Sequence, residues 1–128
     1  MNHCLDSWAV IAWMENNEPA ASKVEGVIRK RPFISTANVT EVYYLTKREH
    51  GIAAAQLTIE TLRALTQFVS VDEEIAVAAG IIKADYKMSL GDAFCVATAT
   101  VKNAKILTGD PEIIDANGKW KVTDIRSK

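Results

Sequence analysis

The stretch SLGDAFCVATA (residues 89–99) is apolar over most of its length and carries an aspartate, Asp92, near its start. This pattern predicts a buried helix. A short apolar run, KILT (105–108), follows within a few residues and predicts a buried strand. Because helices and short apolar strands alternate along the rest of the chain as well, the sequence predicts an α/β fold built on a parallel sheet.

Five strands and seven helical segments are expected. The strands are predicted at 2–6, 32–36, 67–71, 105–108 and 120–125. The helices are predicted at 7–16, 18–31, 37–51, 52–66, 72–86 and 89–99, with a single turn at 110–115. Pro19 in the first turn of one helix and Gly51 at the end of another support these boundaries. The expected architecture is a three-layer α/β/α sandwich, in which helices cover both faces of a central parallel sheet.

Length and composition limit the class of protein. The 128 residues suit a single domain spanning 1–128, and 48% hydrophobic with 24% charged residues is near the average for a soluble globular protein. No apolar run approaches the roughly 20 residues needed to cross a bilayer, and the start of the chain does not resemble a secretory signal. Cys4 and Cys95 stand in apolar surroundings without metal-ligand spacing, which predicts buried, reduced thiols in a cytoplasmic protein.

Four acids fall where a predicted strand has just ended or where the following helix begins. They are Asp6, Glu41, Asp92 and Asp110. In an open parallel sheet, ligands collect beyond the carboxyl ends of the strands, at the point where the strand order reverses. The four side chains are therefore expected to meet at one place, although they are far apart in the sequence.

Each acid also has an ordinary structural explanation. Asp6 and Asp110 suit the N-cap of a helix, and Asp110 precedes a first-turn proline. Ser89 and Asp92 fit the S-x-x-D pattern of a capping box. Glu41 could be solvated. Taken one at a time, these residues do not distinguish capping from chemistry.

The surroundings of two acids favour a metal site. Glu41 lies among apolar and aromatic neighbours in VTEVYYL, Asp6 lies at the rim of the predicted core, and no basic residue is near either in sequence. Carboxylates gathered without a cation raise one another's pKa, and an isolated buried charge is strongly disfavoured. Since the donors are all oxygens, the ion expected here is Mg²⁺ or Mn²⁺. Such a centre can hydrolyse a phosphodiester bond.

The four acidic motifs resemble those of the PIN-domain nucleases, and within that family the VapC-like toxins of prokaryotic toxin–antitoxin pairs. The resemblance rests on LDSWAVIAW, STANVTEVYYL, LGDAFCVATA and ILTGDPEI in this order, and it covers almost the whole chain. It implies the sheet order 3-2-1-4-5 and metal-dependent cleavage of RNA. Asp6, Asp92 and Asp110 would hold the ion, and Glu41 would contact it through water or position the attacking water.

The resemblance also implies neighbours of the site and partners. Ser7 and Thr108 match positions where the family often has a hydroxyl, and Trp8 is bulkier than the residue often found there. A homodimer and a small antitoxin that covers the acidic cleft are expected. The antitoxin would need an exposed apolar groove among the first four helices, to which four residues could contribute: Trp13, Tyr43, Tyr44 and Leu45.

Basic residues could contact the phosphates of an RNA substrate, although charge runs are usually solvated. The candidates are Arg29, Lys30, Arg31, Lys47, Arg48, Lys83 and Lys87. His3 and His50 have no apparent partners, which disfavours catalysis by a Ser–His–Asp group.

Two other functions remain open. The chain could be a PIN-like module that binds RNA or a protein without cutting, although a retired site would be free to lose its acids. It could also be a phosphoacceptor signalling domain, which clusters acids at strand ends. That class needs paired acids after the first strand, where LDSW provides one, and an acid after the third strand, where Asp72 suits the helix dipole instead.

Overall fold

The computed structural model describes residues 2–127 and contains one five-stranded sheet. Its strands are β1 (His3–Leu5), β2 (Phe33–Ser35), β3 (Gln67–Val69), β4 (Lys105–Thr108) and β5 (Val122–Asp124). All neighbouring strands pair in parallel, in the order β3-β2-β1-β4-β5. The predicted α/β class and strand order are therefore confirmed.

Seven helices connect and cover the strands in the described part of the chain. They are α1 (Ser7–Met14), α2 (Ala20–Ile28), α3 (Thr36–His50), α4 (Ile52–Leu65), α5 (Glu73–Asp85), α6 (Leu90–Val101) and α7 (Pro111–Ile114). Gly51 ends α3 with a φ of 92°, a conformation that favours glycine. Pro19 precedes α2 as its N-cap instead of lying in its first turn. Among the helices described, none is both long and apolar enough to pass through a bilayer.

The outer strands, β3 and β5, are shorter than predicted, and residues next to their ends form other contacts. The backbone N–H of Val71 donates to Thr36 Oγ1 at 3.3 Å, so β3 ends at Val69. The Trp120 indole donates to the carbonyl of Ile113 and packs edge-on against Tyr86, so β5 begins two residues later than predicted.

The core lies on both faces of the sheet, because successive strand residues point to opposite sides. Cys4 and Ile106 pack with α5 and α6, whereas Leu5 and Leu107 pack with α1 and α2. Cys4 and Cys95 are free and fully buried, as predicted. The neighbouring Cys4 thiol and burial raise the pKa of Cys95 well above its usual value, so the thiol stays protonated.

The chain order reverses between the two central strands. From β1 the chain moves to β2 and β3 on one side, and it then returns to β4 on the other side of β1. The loops that follow β1 and β4 therefore leave the sheet side by side, which creates a crevice at the carboxyl ends of the strands. Asp6 follows β1 and Asp110 follows β4 at this crevice.

Candidate metal centre

Three aspartates meet in the crevice between β1 and β4. Asp6, Asp92 and Asp110 each place one carboxylate oxygen within 4.8 Å of the others. Asp6 is 1% exposed and Asp92 is 6% exposed, so the cluster is largely shielded from solvent. The set that the sequence predicted for the ion is the set that the fold brings together.

Asp6 is both a cap and a member of the cluster. Its Oδ1 accepts the backbone N–H of Ala9 at 2.8 Å, which caps α1. Its Oδ2 accepts the hydroxyl of Thr108, and the same hydroxyl oxygen accepts the backbone N–H of Asp110 at 2.9 Å. Thr108 therefore links the two aspartates that follow β1 and β4. Asp6 therefore caps α1 and also lies in the cluster.

Asp92 takes part in only half of the predicted capping box. Ser89 Oγ accepts the backbone N–H of Asp92 at 3.2 Å, as a capping residue should. The Asp92 carboxylate does not return the bond, because the backbone N–H of Ser89 donates to Glu112 Oε1 at 3.1 Å. Asp92 Oδ2 is buried and has no hydrogen-bond partner among the residues described. Glu112 thus leaves the Asp92 carboxylate free for the cluster.

Asp110 caps the short helix α7. Its Oδ1 accepts the backbone N–H of Glu112 at 2.9 Å, and Pro111 occupies the first helical position. These interactions fix the Asp110 side chain at the edge of the crevice, as the sequence suggested.

Glu41 lies beside the cluster without belonging to the three-acid group. Asn38 Nδ2 donates to Glu41 Oε1 at 2.8 Å and to the carbonyl of Gly91 at 3.1 Å. The Glu41 carboxylate lies so close to Gly91 that a Cβ atom there would overlap it. Glu41 is therefore held against the first turn of α6, one residue before Asp92.

The electrostatics of the centre favour a bound cation. Burial raises the pKa of Asp6 to about 7, with further contributions from the charges of Asp110 and Glu41, while hydrogen bonds from Thr108 and Ala9 oppose the shift. Burial also raises the pKa of Asp92 to about 8, helped by its proximity to Asp110 and Glu112.

No Lys or Arg within residues 2–127 forms an ion pair with these carboxylates, since the two pairs found there are Glu15 with His50 and Asp124 with Arg126. Within these residues, no basic side chain therefore compensates the negative charge of the cluster. Each raised pKa means that the site binds a proton more readily than usual when no cation is present.

The donor set fits a divalent cation. All donors are carboxylate oxygens, which Mg²⁺ and Mn²⁺ prefer, and the unpartnered Asp92 Oδ2 offers a free lone pair. In octahedral coordination of Mg²⁺, neighbouring oxygens are about 3 Å apart and opposite oxygens about 4.2 Å apart. Three oxygens within 4.8 Å of one another are therefore close to the spacing that one ion requires. Glu41 lies further out, where it could bond to a water molecule of the ion.

Sequence reasoning missed two glycines and one acid. Asp92 and Asp110 each follow a glycine, and each glycine makes room for a side chain from another element: Gly91 for Glu41, and Gly109 for Trp8. The repeated Gly-Asp pair was the available signal. Glu112 gave no signal, because its bond to Ser89 joins residues that only the fold brings together.

Trp8 and Ser7 lie at the rim of the centre. The six-membered ring of Trp8 packs against Gly109. Trp8 and Ser7 line a cavity that also borders Asp110. Within the described residues, no hydrogen bond joins Ser7 to a carboxylate, so its hydroxyl does not support the cluster in the way that Thr108 does.

Three of the seven candidate phosphate contacts lie away from the crevice. Arg29, Lys30 and Arg31 precede β2, at the amino ends of the strands, and Arg31 donates to the carbonyls of Ala64 and Thr66. These three residues therefore lie at the opposite end of the sheet from the aspartate cluster. Lys87 is better placed, because it lines a cavity of about 350 Å³ with Pro111 and Glu112.

An apolar groove of about 430 Å³ runs between α1, α3 and α4. Leu45 lines it together with Ile11 and Leu57, which agrees with the expected groove. Trp13 points elsewhere, because its indole donates to Glu25 at 2.6 Å. No partner for His50 was apparent in the sequence, but the structure places its Nε2 3.9 Å from Glu15 at the wall of this groove.

Comparisons with solved structures identify the same fold in toxins. The chain superposes on a toxin–antitoxin complex from Klebsiella pneumoniae with a TM-score of 0.81 and 20% identity, covering 99% of this chain and 100% of that one. A DNA-bound VapBC from Salmonella typhimurium gives a TM-score of 0.81 and 15% identity, over 97% and 98%.

A third structure is the sarcin-ricin-loop-cleaving toxin VapC20 of Mycobacterium tuberculosis. Its TM-score is 0.75 with 15% identity, over 91% of this chain and 95% of that one. No curated protein matches the chain. The model of the PIN domain matches residues 3–119, which include all four acids. The chain therefore belongs to the PIN domain family.

Proposed function

We propose that the protein is a metal-dependent endoribonuclease and the toxin of a toxin–antitoxin pair. The observation that carries the proposal is the aspartate cluster, in which three buried or half-buried carboxylates meet without a basic partner from residues 2–127. The membership of the PIN domain family and the likeness to a toxin named for cleaving the sarcin-ricin loop support it.

The residues of the centre would divide the work. Asp6, Asp92 and Asp110 would hold Mg²⁺ or Mn²⁺, which supplies a hydroxide nucleophile and neutralises the charge of the scissile phosphate. Glu41, fixed by Asn38, would orient the attacking water and accept its proton. Thr108 would keep Asp6 and Asp110 in register.

The proposal includes partners for the two sides of the crevice. RNA would enter over Lys87, whose charge suits a phosphate. An antitoxin helix would fill the apolar groove between α1, α3 and α4, since the similar structures include complexes of toxin and antitoxin. We also propose that the toxin is a homodimer and acts in the cytoplasm, where such RNA and such a partner would be found.

Substitution of one metal ligand tests the proposal. Asp92→Asn keeps the size of the side chain but removes a ligand charge, so cleavage of total tRNA and rRNA should fall at least about 100-fold. Glu60→Gln makes the same change of charge at an exposed position in α4, and this control should cleave normally. Chelator should stop the wild-type protein.

Calorimetry with Mn²⁺ separates the nuclease from a non-catalytic PIN-like module. The wild-type protein should bind Mn²⁺, and Asp92→Asn should bind it much more weakly. A wild-type protein that binds no Mn²⁺ at millimolar concentration, or an Asp92→Asn variant that cleaves at the wild-type rate, would contradict the proposal.

A further inference from the structure

A second cavity opens directly beside the aspartate cluster and has no task in the proposed reaction. It has a volume of about 390 Å³ and is bordered by Asp110, which follows β4, and by Glu15 and Asn17, which follow α1. Trp8 and Leu45 form its apolar walls. We call it the Trp8 cavity. Because Asp110 borders both the cluster and the cavity, a group bound to the ion would lie next to this space.

The Trp8 ring gives the cavity a fixed aromatic wall. The ring packs against Gly109, where a Cβ atom would overlap it, and against the apolar core on the α1 side of the sheet. The absence of a side chain at Gly109 is what allows the ring to lie this close to the turn between Thr108 and Asp110. An aromatic side chain packed in this way offers a surface on which an RNA base can stack, as aromatic side chains do in proteins that bind single strands.

Two residues that follow α1 offer hydrogen-bond acceptors to the cavity. Glu15 and Asn17 are both exposed, Asn17 Nδ2 donates to Glu15 Oε1 at 3.4 Å, and Glu15 Oε2 lies 3.9 Å from His50 Nε2. Both contacts are long, so the Glu15 carboxylate can still accept further hydrogen bonds. A carboxylate selects for a group with N–H donors and against one that presents carbonyl oxygens.

We propose that the Trp8 cavity binds one unpaired base of the RNA, next to the scissile phosphate, and prefers guanine. The base would stack on Trp8 and donate its adjacent N1–H and N2–H groups to Glu15. Uracil would turn carbonyl oxygens toward the same carboxylate and fit poorly. This inference rests on the proposed function for the position of the phosphate, but its binding test does not require cleavage.

Tryptophan fluorescence tests the stacking directly. The chain has three tryptophans, so the Trp13→Phe, Trp120→Phe double variant leaves Trp8 as its one indole. In chelator, where no cleavage is expected, the pentanucleotide UUGUU should quench this fluorescence and bind about tenfold more tightly than UUUUU. Adding Glu15→Gln should remove the difference between the two RNAs. Equal binding of both pentanucleotides, or no quenching by either, overturns the inference.

A pair of tryptophan variants on the same helix tests the role in turnover. Trp13 lies five residues after Trp8 in α1 but lines a different cavity, with Glu18 and Glu25. Trp8→Ala should raise KM about tenfold for RNA with guanine at the cleavage site and leave the affinity for Mn²⁺ unchanged. Trp13→Ala should change neither. Trp8→Phe retains a stacking surface, so its KM should be close to that of the wild-type protein. This variant controls for misfolding.

The outcomes separate this inference from the proposed function. If Trp8→Ala loses Mn²⁺ affinity, the ring only holds the Gly109 turn, and the inference is overturned while the nuclease proposal stands. If UUGUU quenches Trp8 but the wild-type protein cleaves no RNA, the cavity binds its base and the nuclease proposal falls. Equal effects of Trp8→Ala and Trp13→Ala overturn the inference, because they report lost packing.

Discussion

At the residue scale, Asp6 and Asp92 hold protons in the absence of metal. Their pKa values of about 7 and about 8 lie well above the value of about 3.9 expected in the unfolded chain. Between these limits the folded protein binds protons that the unfolded protein has already lost, so the free energy of unfolding decreases as pH rises. The stabilisation is complete below about pH 4 and is lost by about pH 8.

We therefore predict that the metal-free protein becomes less stable from pH 5 to pH 8. The free energy of unfolding should fall by at least about 2 kcal/mol, measured by urea unfolding in chelator. Saturating Mn²⁺ at pH 8 should restore stability, because the ion replaces the protons. The Asp6→Asn, Asp92→Asn double variant should have a nearly flat profile. A wild-type profile that rises over this range would contradict the argument.

Thr108 has a single hydroxyl that serves both neighbouring aspartates. Thr108→Val keeps the shape but removes the donor to Asp6 and the acceptor for the Asp110 backbone, so Mn²⁺ affinity should fall about 10–100-fold by calorimetry. Thr108→Ser retains the hydroxyl and should bind Mn²⁺ within a few-fold of the wild-type protein. Equal losses in the two variants would show that packing, and not the hydroxyl, is responsible.

At the scale of the element, α6 depends on a glycine for its contact with α3. In Gly91→Ala the new methyl group overlaps the Glu41 carboxylate and must displace it from the centre. We predict that cleavage falls on the order of 100-fold while Mn²⁺ affinity changes little, since a misplaced catalytic group costs about that much.

Gly26→Ala is the matched control for this variant. Gly26 lies inside α2, and a Cβ atom there would contact nothing within 4 Å. The variant should keep full activity and gain roughly 0.5–1 kcal/mol of stability, because alanine favours the helix. Full activity of Gly91→Ala would show that cleavage does not require Glu41 at this position.

The sequence predicts the elements better than it predicts their ends. The spacing of apolar residues predicts every strand and helix, because it depends only on residues that are close together in the sequence. The end of β3 depends on Thr36, which lies 35 residues away along the chain from its partner Val71. The site shows the same division between local and tertiary signals. The positions of Asp6, Asp92 and Asp110 could be predicted, because each follows a strand or begins a helix. The repeated Gly-Asp pair was a signal for Gly91, although its meaning depends on the contact with Glu41, whereas the role of Glu112 depends on a tertiary contact that leaves no pattern in the sequence.

At the scale of the molecule, acidic and basic groups lie at opposite ends of the strands. The acidic centre lies at the carboxyl ends of the strands, whereas Lys30 and Lys105 lie near His3 at the amino ends. Burial and these two lysines lower the pKa of His3. Lys87 differs from the other lysines discussed, because it borders the same side as the centre.

We predict that Lys87→Ala weakens the binding of RNA and that Lys30→Ala does not. A lost phosphate contact should raise KM several-fold at low salt and reduce the slope of log K against log salt by about one. Both variants lose one surface charge, so the comparison isolates its position. Equal slopes for the two variants would place the RNA elsewhere.

The apolar groove and the Trp8 cavity have three residues in common: Ile11, Glu15 and Leu45. The groove and the cavity are thus adjacent, and a ligand in either one contacts side chains that also line the other. Where a ligand of the groove changes the affinity for a ligand of the cavity, its own affinity changes by the same factor in return.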